Sequence, residues 1–317
     1  MVRLASIVSF VILVILQSCQ TADKKTIIGY VQITQDPVLD AAKAGLFRAL
    51  KDSGFIDGQN IKILDNNAQG DISMITTILQ SLQSQNADLI ITNSTPCMSA
   101  AAQIVKDIPV VFTVAFGPEQ IGFKSIPDNL YGVYDPWKAD EFVDLIQACL
   151  PGLKRVGIPY NNAEPNAEYS VKILSAEFAK RGITLVTAAV GGANDIMQAG
   201  QSLAAQQIDA MVVAADNTVY LGLGVLAKIS ASEKIPLFVS DPLQAEKGAA
   251  LGFGVDYDSW GYQSGLKAID LLKGRNISMH KIEPILKYQL ILNEKACHEQ
   301  GLSVPEEIRK NANRIIK

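Results

Sequence analysis

The chain has 317 residues, of which 48% are hydrophobic and 19% are charged, and its formal net charge at pH 7 is -4. That length allows two hydrophobic cores of roughly 100 to 150 residues each. The mild acidity, together with the lack of a cluster of Lys and Arg, argues against a nucleic-acid-binding protein, because phosphate contacts need concentrated positive charge.

Residues 1–19 have the pattern of a signal peptide and not of a folded domain. Arg3 supplies a positive charge, and Leu4 to Leu16 form an apolar stretch too short to span a bilayer of about 30 Å. Residues 16–19 (LQSC) resemble a bacterial lipobox, so we predict cleavage before Cys19, acylation of Cys19 and a tether at residues 20–25. An ordinary signal peptide and an uncleaved anchor are the alternatives. The prediction places the protein in the cell envelope, on the outer face of the cytoplasmic membrane or in the periplasm.

The remaining cysteines and the histidines do not suggest a metal site or a cofactor site. Cys97, Cys149 and Cys297 are odd in number and widely spaced, so we predict buried thiols and not a disulfide framework or a zinc site. His280 and His298 are the two histidines and both lie far toward the C-terminus, which leaves little for histidine catalysis. We expect no metal and no cofactor.

In the first half of the chain, strand patterns alternate with helix patterns. The predicted strands are Thr26–Ile33, Ile61–Asn66, Asp88–Thr92 and Ile108–Ala115. One helix begins at Pro37 and ends before Gly54, a second is capped by Asp71, and a third covers about Pro96 to Lys106. Strand segments such as LIIT and VVFTV are apolar on both faces, which predicts a parallel sheet covered by helices on each side.

The stretch from Leu130 to Phe142 separates this half from a second unit with the same alternation. The second half has these predicted strands and helices: strands at Arg155–Pro159, Thr184–Val190, Ala210–Ala214, Leu237–Val239, Ala250–Val255 and Tyr288–Leu292, and helices at Ala167–Lys180, Asp195–Gln206, Asn217–Ser230 and Tyr257–Lys273, with a short helix started by Pro305. The fold class is therefore α/β, with two doubly wound parallel-sheet lobes joined by a multi-strand hinge.

We expect the chain to cross between the lobes three times, at residues 130–142, near Val255 to Tyr257, and between Gly274 and Leu286. The N-terminal lobe would comprise residues 26–134 and 257–275, and the C-terminal lobe residues 135–256 and 285–317. Gly132 and Pro136 are candidate hinge residues. We expect Trp137 to pack beneath the cleft, whereas Tyr134 could line the cleft or pack.

Ligands of open α/β sheets bind beyond the carboxyl ends of the strands, so the loops after the strands hold the candidate site residues. In the first half these are Gln35, Gln69, Ser94, Thr95 and Phe116, and in the second they are Tyr160, Asn161, Asn166, Asp216, Asn217 and Asp241. Small, amide, hydroxyl and carboxylate side chains of this kind suit a compact polar ligand. Ser94, Thr95, Asp71, Asp216 and Asp241 could equally be helix caps or turn formers.

Asp216 and Asp241 follow neighbouring strands, which would put two carboxylates beside one pocket and suit a ligand ammonium group. Acid/base catalysis is an alternative, but no nucleophile or metal constellation accompanies the pair. No phosphate-binding GxxxxGK[ST] motif occurs. Gly222 and Gly224 lie inside an apolar helical pattern, where helix packing explains them better than a dinucleotide-binding turn.

Several motifs together resemble the bacterial ABC-transporter substrate-binding lipoproteins that include tryptophan- and tyrosine-binding members. The resemblance covers Ile27 to Lys310 and lies in these segments: residues 37–42 (PVLDAA), 67–71 (NAQGD), 106–113 (KDIPVVFT), 216–218 (DNT), 240–241 (SD) and 254–257 (GVDY). It implies the type I periplasmic-binding-protein fold and an ABC permease as partner.

Two segments depart from the family pattern. Residues 116–118 (FGP) stand where the family commonly has Thr-Asp-Pro, which removes a carboxylate and adds a ring. Residues 164–167 (EPNA) stand where it often has Glu-Ala-Asn-Ser, which removes a hydroxyl. The Phe116 ring could stack on an aromatic ligand, worth about 0.5 to 1.5 kcal/mol, or belong to the core.

The leading hypothesis is a monomeric, lipid-anchored solute-binding protein that closes on a small amino-acid-like ligand, with an aromatic amino acid favoured. The ligand carboxylate would meet Ser94, Thr95 and nearby helix N-termini, and its amine would meet Asp216 or Asp241. Asn161 and Asn166 would close from the second lobe. The alternatives are a ligand sensor of the same fold that reports to a membrane receptor, and a surface enzyme.

Overall fold

The computed structural model describes residues 25–317. The predicted signal peptide, Cys19 and the tether up to residue 24 lie outside this range. Strands and helices alternate through most of it. The strands are β1 (Thr26–Gln32), β2 (Ile61–Asn67), β3 (Leu89–Asn93), β4 (Val110–Phe116), β5 (Leu130–Asp135), β6 (Arg155–Tyr160), β7 (Thr184–Ala189), β8 (Ala210–Val213), β9 (Leu237–Val239), β10 (Leu251–Val255), β11 (Ile282–Pro284), β12 (Tyr288–Asn293) and β13 (Arg314–Ile316).

Helices cover both sheets. They are α1 (Pro37–Asp52), α2 (Ile72–Ser84), α3 (Thr95–Ile104), α4 (Ala139–Cys149), α5 (Pro165–Lys180), α6 (Ile196–Ala204), α7 (Asn217–Leu221), α8 (Leu223–Glu233), α9 (Tyr257–Leu272), α10 (Glu294–Gln300) and α11 (Glu306–Asn311). Short 3-10 turns occur at Ala193–Asp195, Pro242–Lys247 and Ser278–His280. Within residues 25–317, no helix has the length and apolar character needed to cross a membrane.

The strands form two sheets. The first has the order β11-β5-β4-β3-β1-β2 and the second the order β13-β12-β10-β9-β8-β6-β7. The first sheet is parallel throughout, whereas the second has one antiparallel pair, β10 with β12. All five residues of β3 are buried, as expected for a strand covered on both faces. The predicted α/β class with two parallel-sheet lobes is confirmed.

The chain passes from one sheet to the other three times: between β5 and α4, between β10 and α9, and between β11 and β12. Helix α9 belongs with the first sheet because it packs closely on α1. A Cβ on Gly261 would come 1.8 Å from the Ala42 carbonyl oxygen, and one on Gly45 would come 2.0 Å from the Asp258 carbonyl oxygen. Only glycine allows these two backbones to lie so near each other.

Some predicted elements were wrong in detail. The single helix expected over Asn217–Ser230 is two helices that meet at Gly222, where a Cβ would come 2.4 Å from the Ile196 Cδ1 atom. Packing therefore explains Gly222, but a Cβ on Gly224 would have no neighbour within 4 Å, so packing does not explain that residue. Strands β11 and β13 and helix α10 had not been predicted. Cys97, Cys149 and Cys297 are buried free thiols, as predicted.

Candidate functional site

A cavity lies between the two sheets, at the carboxyl ends of β4, β5, β8 and β9. Its empty volume is about 570 Å³, including space at its mouth. The residues that line it come from both halves of the chain: Asp36, Val38, Leu39, Thr95, Val114, Ala115, Phe116, Asp135, Trp137, Asn166, Ala215, Asp216, Asn217, Tyr220, Ser240, Asp241, Tyr257 and Trp260. This is where the topology of open α/β sheets places a ligand site.

The predicted site residues divide into two groups. The cavity is lined by Thr95, Phe116, Asn166, Asp216, Asn217 and Asp241. The remainder, Gln35, Gln69, Ser94, Tyr160 and Asn161, do not line it. Gln35 borders a separate shallow pocket with Asn67, and the Gln69 side chain is exposed. For all of these residues, a role in ligand binding stays a prediction.

Ser94 and Asn161 hold neighbouring groups in place. The Ser94 hydroxyl accepts the Cys97 N–H and caps α3. The Asn161 N–H donates to Asp216 Oδ2 at 2.6 Å, and its side-chain amide donates to the Thr218 hydroxyl at 2.9 Å. Asp216 is itself the cap of α7, because its Oδ1 accepts the Val219 N–H at 2.9 Å. The cap interpretation is thus confirmed for Ser94 and Asp216, although Asp216 also faces the cavity.

Glu164 is a buried carboxylate that organises one wall of the cavity from behind. Its two oxygens accept the backbone N–H groups of Asn217 and Thr218, at 3.1 and 2.9 Å. They also accept the side chains of Asn217, Thr218 and Asn166, at 2.6, 2.6 and 3.0 Å. Glu164 therefore occupies the N-terminus of α7 and fixes Asn166 and Asn217 at the cavity surface.

Two further aspartates in the wall are paired with tyrosines. Asp135 Oδ1 accepts two hydrogen bonds, one from the Tyr288 hydroxyl at 2.6 Å and one from the backbone N–H of Trp137 at 2.8 Å. Burial raises the pKa of Asp135 to about 6, even though both hydrogen bonds favour the charged form. Asp241 accepts the Tyr257 hydroxyl. Burial and, to a smaller extent, the nearby Asp36 carboxylate raise the pKa of Asp241 to about 7. The hydrogen bond from Tyr257 lowers the pKa but is a smaller effect than burial.

Asp216 is also a buried carboxyl group with a raised pKa. Burial and then the neighbouring Glu164 carboxylate raise the pKa of Asp216, against the hydrogen bonds from the Asn161 and Val219 N–H groups. Buried carboxylates with raised pKa values in one cavity are typical of a functional site. Among residues 25–317, no group of three or more His, Cys, Asp or Glu side chains is arranged to hold a metal ion.

Aromatic rings form another wall of the cavity. The Phe116 ring lies 4.8 Å from the Tyr169 ring and 5.8 Å from the Trp137 ring, measured between centroids. Tyr257 and Trp260 form a second ring pair at 5.6 Å. Trp137 therefore lines the cavity as well as packing, which corrects the expectation that it lies beneath the cleft.

Three residues around the cavity have backbone conformations that favour glycine. The φ angles are +129° for Ser94, +51° for Val114 and +43° for Trp137. Val114 is β-branched, and it lies where the pairing of β4 with β5 is irregular, between Phe112 and Ala115. Such strain persists where the surrounding structure enforces it, and it is concentrated at binding sites.

Polar contacts join the two halves of the cavity. Asp36, which caps α1, accepts the Lys247 ammonium at 2.6 Å and the Gln244 side-chain amide at 2.8 Å. Across the aromatic wall, the Gln120 side-chain amide donates to the Tyr169 hydroxyl at 3.1 Å. These contacts join residues on opposite sides of the cavity.

We expect Lys247→Met to shift the protein toward an open form, because Asp36 would lose its cationic partner while keeping Gln244. Loss of a partly buried charge-assisted hydrogen bond corresponds to about 1.5 to 3 kcal/mol. Small-angle X-ray scattering should show a larger radius of gyration for this variant without ligand. Lys172→Met, which changes an exposed lysine of α5, is the control and should leave the radius unchanged. Equal radii for the two variants would contradict the expectation.

Several lining residues had not been predicted as site residues, chiefly Asp36, Asp135, Tyr220, Tyr257 and Trp260. Asp36 directly precedes Pro37 in the loop after β1, and Asp135 is the last residue of β5. The strand-end rule could therefore have found both aspartates. Tyr257 and Trp260 lie at the start of α9. Their position beside the cavity depends on how α9 packs on the first sheet, so a local sequence pattern does not reveal it.

Comparison with known proteins places this geometry in a family. The model of the family described as ABC transporter substrate binding protein matches residues 27–316. A tyrosine-binding protein of Clostridioides difficile (strain R20291) is 32% identical over 287 residues, which cover 88% of this chain and 83% of the relative.

Two solved structures are similar as well. An ABC domain from Streptococcus pneumoniae in complex with L-Trp has a TM-score of 0.86 at 28% identity, covering 92% of this chain and 100% of that one. The ligand-free, open structure of a substrate-binding protein from Clostridium difficile has a TM-score of 0.68 at 30% identity, covering 92% and 99%. At similar identity, the lower TM-score belongs to the structure described as open. The fold is that of type I periplasmic binding proteins, and the chain belongs to the family of ABC transporter substrate-binding proteins.

Proposed function

We propose that this protein is the lipid-anchored, extracytoplasmic binding component of an ABC importer and that it holds a small amino-acid-like ligand, preferably an aromatic one, between its two lobes. The observation that carries the proposal is the cavity at the strand ends, which combines buried carboxylates with aromatic rings. The tyrosine-binding relative and the L-Trp complex support an aromatic ligand.

The proposed ligand contacts use both halves of the cavity. Asp216 and Asp241 would receive the ligand ammonium, Thr95 would donate its hydroxyl to the ligand, and Phe116 would stack on the ligand ring. Asn166 and Asn217, both fixed by Glu164, would complete the polar wall. Ser94 and Asn161 would act indirectly, by holding α3 and Asp216.

Closure would move residues 26–134 and 257–275 relative to residues 135–256 and 285–317 about the three crossings. Asp36 and Lys247 would form their ion pair on closing. The monomer would then deliver the ligand, chemically unaltered, to a membrane permease. Binding and release without turnover also distinguish this proposal from the surface-enzyme hypothesis.

The test of the proposed function is native mass spectrometry of the purified protein, followed by thermal unfolding with L-tryptophan, L-tyrosine and L-phenylalanine. A ligand at about 100 times its Kd should stabilise the protein by about 2.7 kcal/mol and raise the melting temperature. Asp216→Asn keeps a residue that caps helices well but removes the charge, so it should strongly reduce the shift. Asp270→Asn, which removes a half-buried carboxylate that is paired with Arg275 and does not line the cavity, is the control. If no amino acid raises the melting temperature, the ligand part of the proposal fails.

The proposed anchor predicts that Cys19→Ser releases the protein from membranes. Without the thiol no acyl chain can be attached, so the wild type should sediment with the membrane fraction and the variant should stay in the soluble fraction. Cell fractionation with immunoblotting measures this, and Cys97→Ser, which changes a buried cysteine of α3, is the control. Equal membrane association of wild type and Cys19→Ser would contradict the anchor.

A further inference from the structure

The charged residue types that line the cavity are all acidic. Among the described residues that line the cavity are the carboxylates of Asp36, Asp135, Asp216 and Asp241, and none is Lys, Arg or His. All four carboxylates are at least nine-tenths buried. The nearby cation Lys247 is committed to Asp36. The described lining therefore offers no cationic side chain to a ligand anion, whereas a ligand ammonium group would meet carboxyl groups that can ionise to pair with it.

The helix N-termini at the cavity are already used by the protein. At α3, Pro96 has no N–H, and the Cys97 N–H donates to Ser94. At α7, the backbone N–H groups of Asn217 and Thr218 both donate to Glu164. The N–H groups of Cys97, Asn217 and Thr218 are therefore not free to bind a ligand carboxylate.

Two more N–H groups at the cavity are used in the same way. At α1, Pro37 has no N–H, and the Val38 N–H donates to Asp36 at 3.0 Å. The third N–H of α7, from Val219, donates to Asp216. Thr95 offers a hydroxyl, but that oxygen already accepts the Phe116 N–H at 3.3 Å, which leaves its proton as the donor for a ligand. The wall is thus poor in donors for an anion.

One buried polar atom of the wall is an acceptor without a partner in the described part of the chain. Asn166 Oδ1 is buried and has no hydrogen-bond partner among residues 25–317. Its orientation is fixed, because Asn166 Nδ2 donates to the Ala215 carbonyl at 2.6 Å and to Glu164 at 3.0 Å, both of which are acceptors. On Asp135, both hydrogen bonds go to Oδ1. A buried acceptor that has no partner among the described residues, such as Asn166 Oδ1, calls for a ligand that donates a hydrogen bond.

The remaining wall is aromatic, with Phe116 and Trp137 on one side and Tyr257 and Trp260 on the other. Rings of this kind accept a flat apolar group and also attract an ammonium group through their faces. The wall therefore provides groups for a cation and for a ring, whereas its described lining provides no cationic side chain for a carboxylate.

We propose that the cavity selects an aromatic primary amine, a ring joined to an ammonium group by a short chain, and that it needs no carboxylate on the ligand. The proposal rests on the proposed function and narrows its ligand class. An amino acid would bind through the same ring and ammonium group, with its carboxylate tolerated near Thr95 and the cavity mouth.

The test is isothermal titration of the wild-type protein with three matched series, which avoids any variant that could misfold. The amines are tryptamine and phenethylamine, the amino acids are L-tryptophan and L-phenylalanine, and the acids without an amine are indole-3-propionate and 3-phenylpropionate. We expect each amine to bind with a Kd equal to or below that of its amino acid, and the acids to give no binding.

Each other outcome overturns the proposal. If an amino acid binds more tightly than its amine, the carboxylate is recognised and the proposal is wrong, although the proposed function stands. If the acids bind, the ammonium group is not the recognised feature. If no compound of any series binds, both the proposal and the ligand part of the proposed function fail.

Discussion

Glu164→Ala is expected to lower the free energy of unfolding by at least about 3 kcal/mol, because several buried donors would lose their acceptor at about 1 to 3 kcal/mol each. Glu164 is 2% exposed and accepts five hydrogen bonds from Asn166, Asn217 and Thr218. Some of this loss would be recovered if water entered the vacated space. Ligand binding should be lost as well, since Asn166 and Asn217 would no longer be held at the cavity surface.

Urea unfolding of Glu164→Ala beside Glu168→Ala measures this effect. Glu168 lies one turn further along α5 and is exposed, so its substitution should change the free energy of unfolding by no more than about 0.5 kcal/mol. The comparison separates the hydrogen-bonding role of Glu164 from the general effect of removing an acidic residue from the first turns of α5. Equal stabilities of the two variants would show that Glu164 does not organise the wall.

Asp241→Asn is expected to weaken ligand binding by roughly 10- to 150-fold, which corresponds to the 1.5 to 3 kcal/mol of a charge-assisted hydrogen bond. The substitution keeps the shape of the side chain and removes the charge that, on the proposed function, would face the ligand ammonium. Asp241 is buried against the Tyr257 hydroxyl of α9, and Tyr220 of α7, Asp36 before α1 and Asp135 at the end of β5 also face it. Calorimetric titration of this variant and of Asp270→Asn provides the comparison, and a loss in both would remove Asp241 from the site.

The pH dependence gives a second readout for Asp241. Its pKa in the empty cavity is raised to about 7, so below that pH the carboxyl holds a proton that must leave before an ammonium group can pair with it. Affinity of the wild type should therefore rise with pH through about 7, and Asp216, whose pKa burial and Glu164 raise to about 8, should extend the rise to higher pH. Asp135, whose pKa is raised to about 6, would contribute at lower pH. In Asp241→Asn the rise near pH 7 should be absent, and a persisting rise would assign it to another group.

Much of the fold could be predicted from local sequence. Local sequence specifies β3 through its run of apolar residues and α1 through the proline at its start. The predicted bounds of these two elements therefore differ from those in the structure by only a residue or two. The helix break at Gly222 could not be predicted in this way. It depends on contact with Ile196, which lies on a different helix.

The site residues that could be predicted are those in the loops directly after strands. Asp216 and Asp241 follow neighbouring strands, so parallel-sheet geometry alone brings them together. Trp137 was misplaced because its position depends on a backbone with a φ of +43° and on the hydrogen bond from its N–H to Asp135. The contact of Asp36 with Lys247 joins residues 211 positions apart in the sequence, and no local pattern specifies such a pair.

Closure of the cleft links these contacts to binding. Micromolar affinity corresponds to about -8.2 kcal/mol, and this sum must include the desolvation of the ligand charge as well as that of the carboxylates. Electrostatic attraction is strong enough only where water is excluded. The Asp36–Lys247 ion pair and the Gln120–Tyr169 hydrogen bond span the cavity on opposite sides. On the proposed function, they would stabilise the closed form, in which the charged contacts are strongest.

Intrinsic tryptophan fluorescence tests most directly whether the ligand occupies this cavity. The chain contains two tryptophans, and both Trp137 and Trp260 line the cavity. L-Phenylalanine and phenethylamine carry no indole, so with excitation selective for tryptophan any change in emission comes from the protein. We predict a saturable change in emission with one ligand per chain and with the same Kd as calorimetry, and a much weaker response in Asp241→Asn. A ligand that binds by calorimetry but leaves the emission of both tryptophans unchanged would contradict the account.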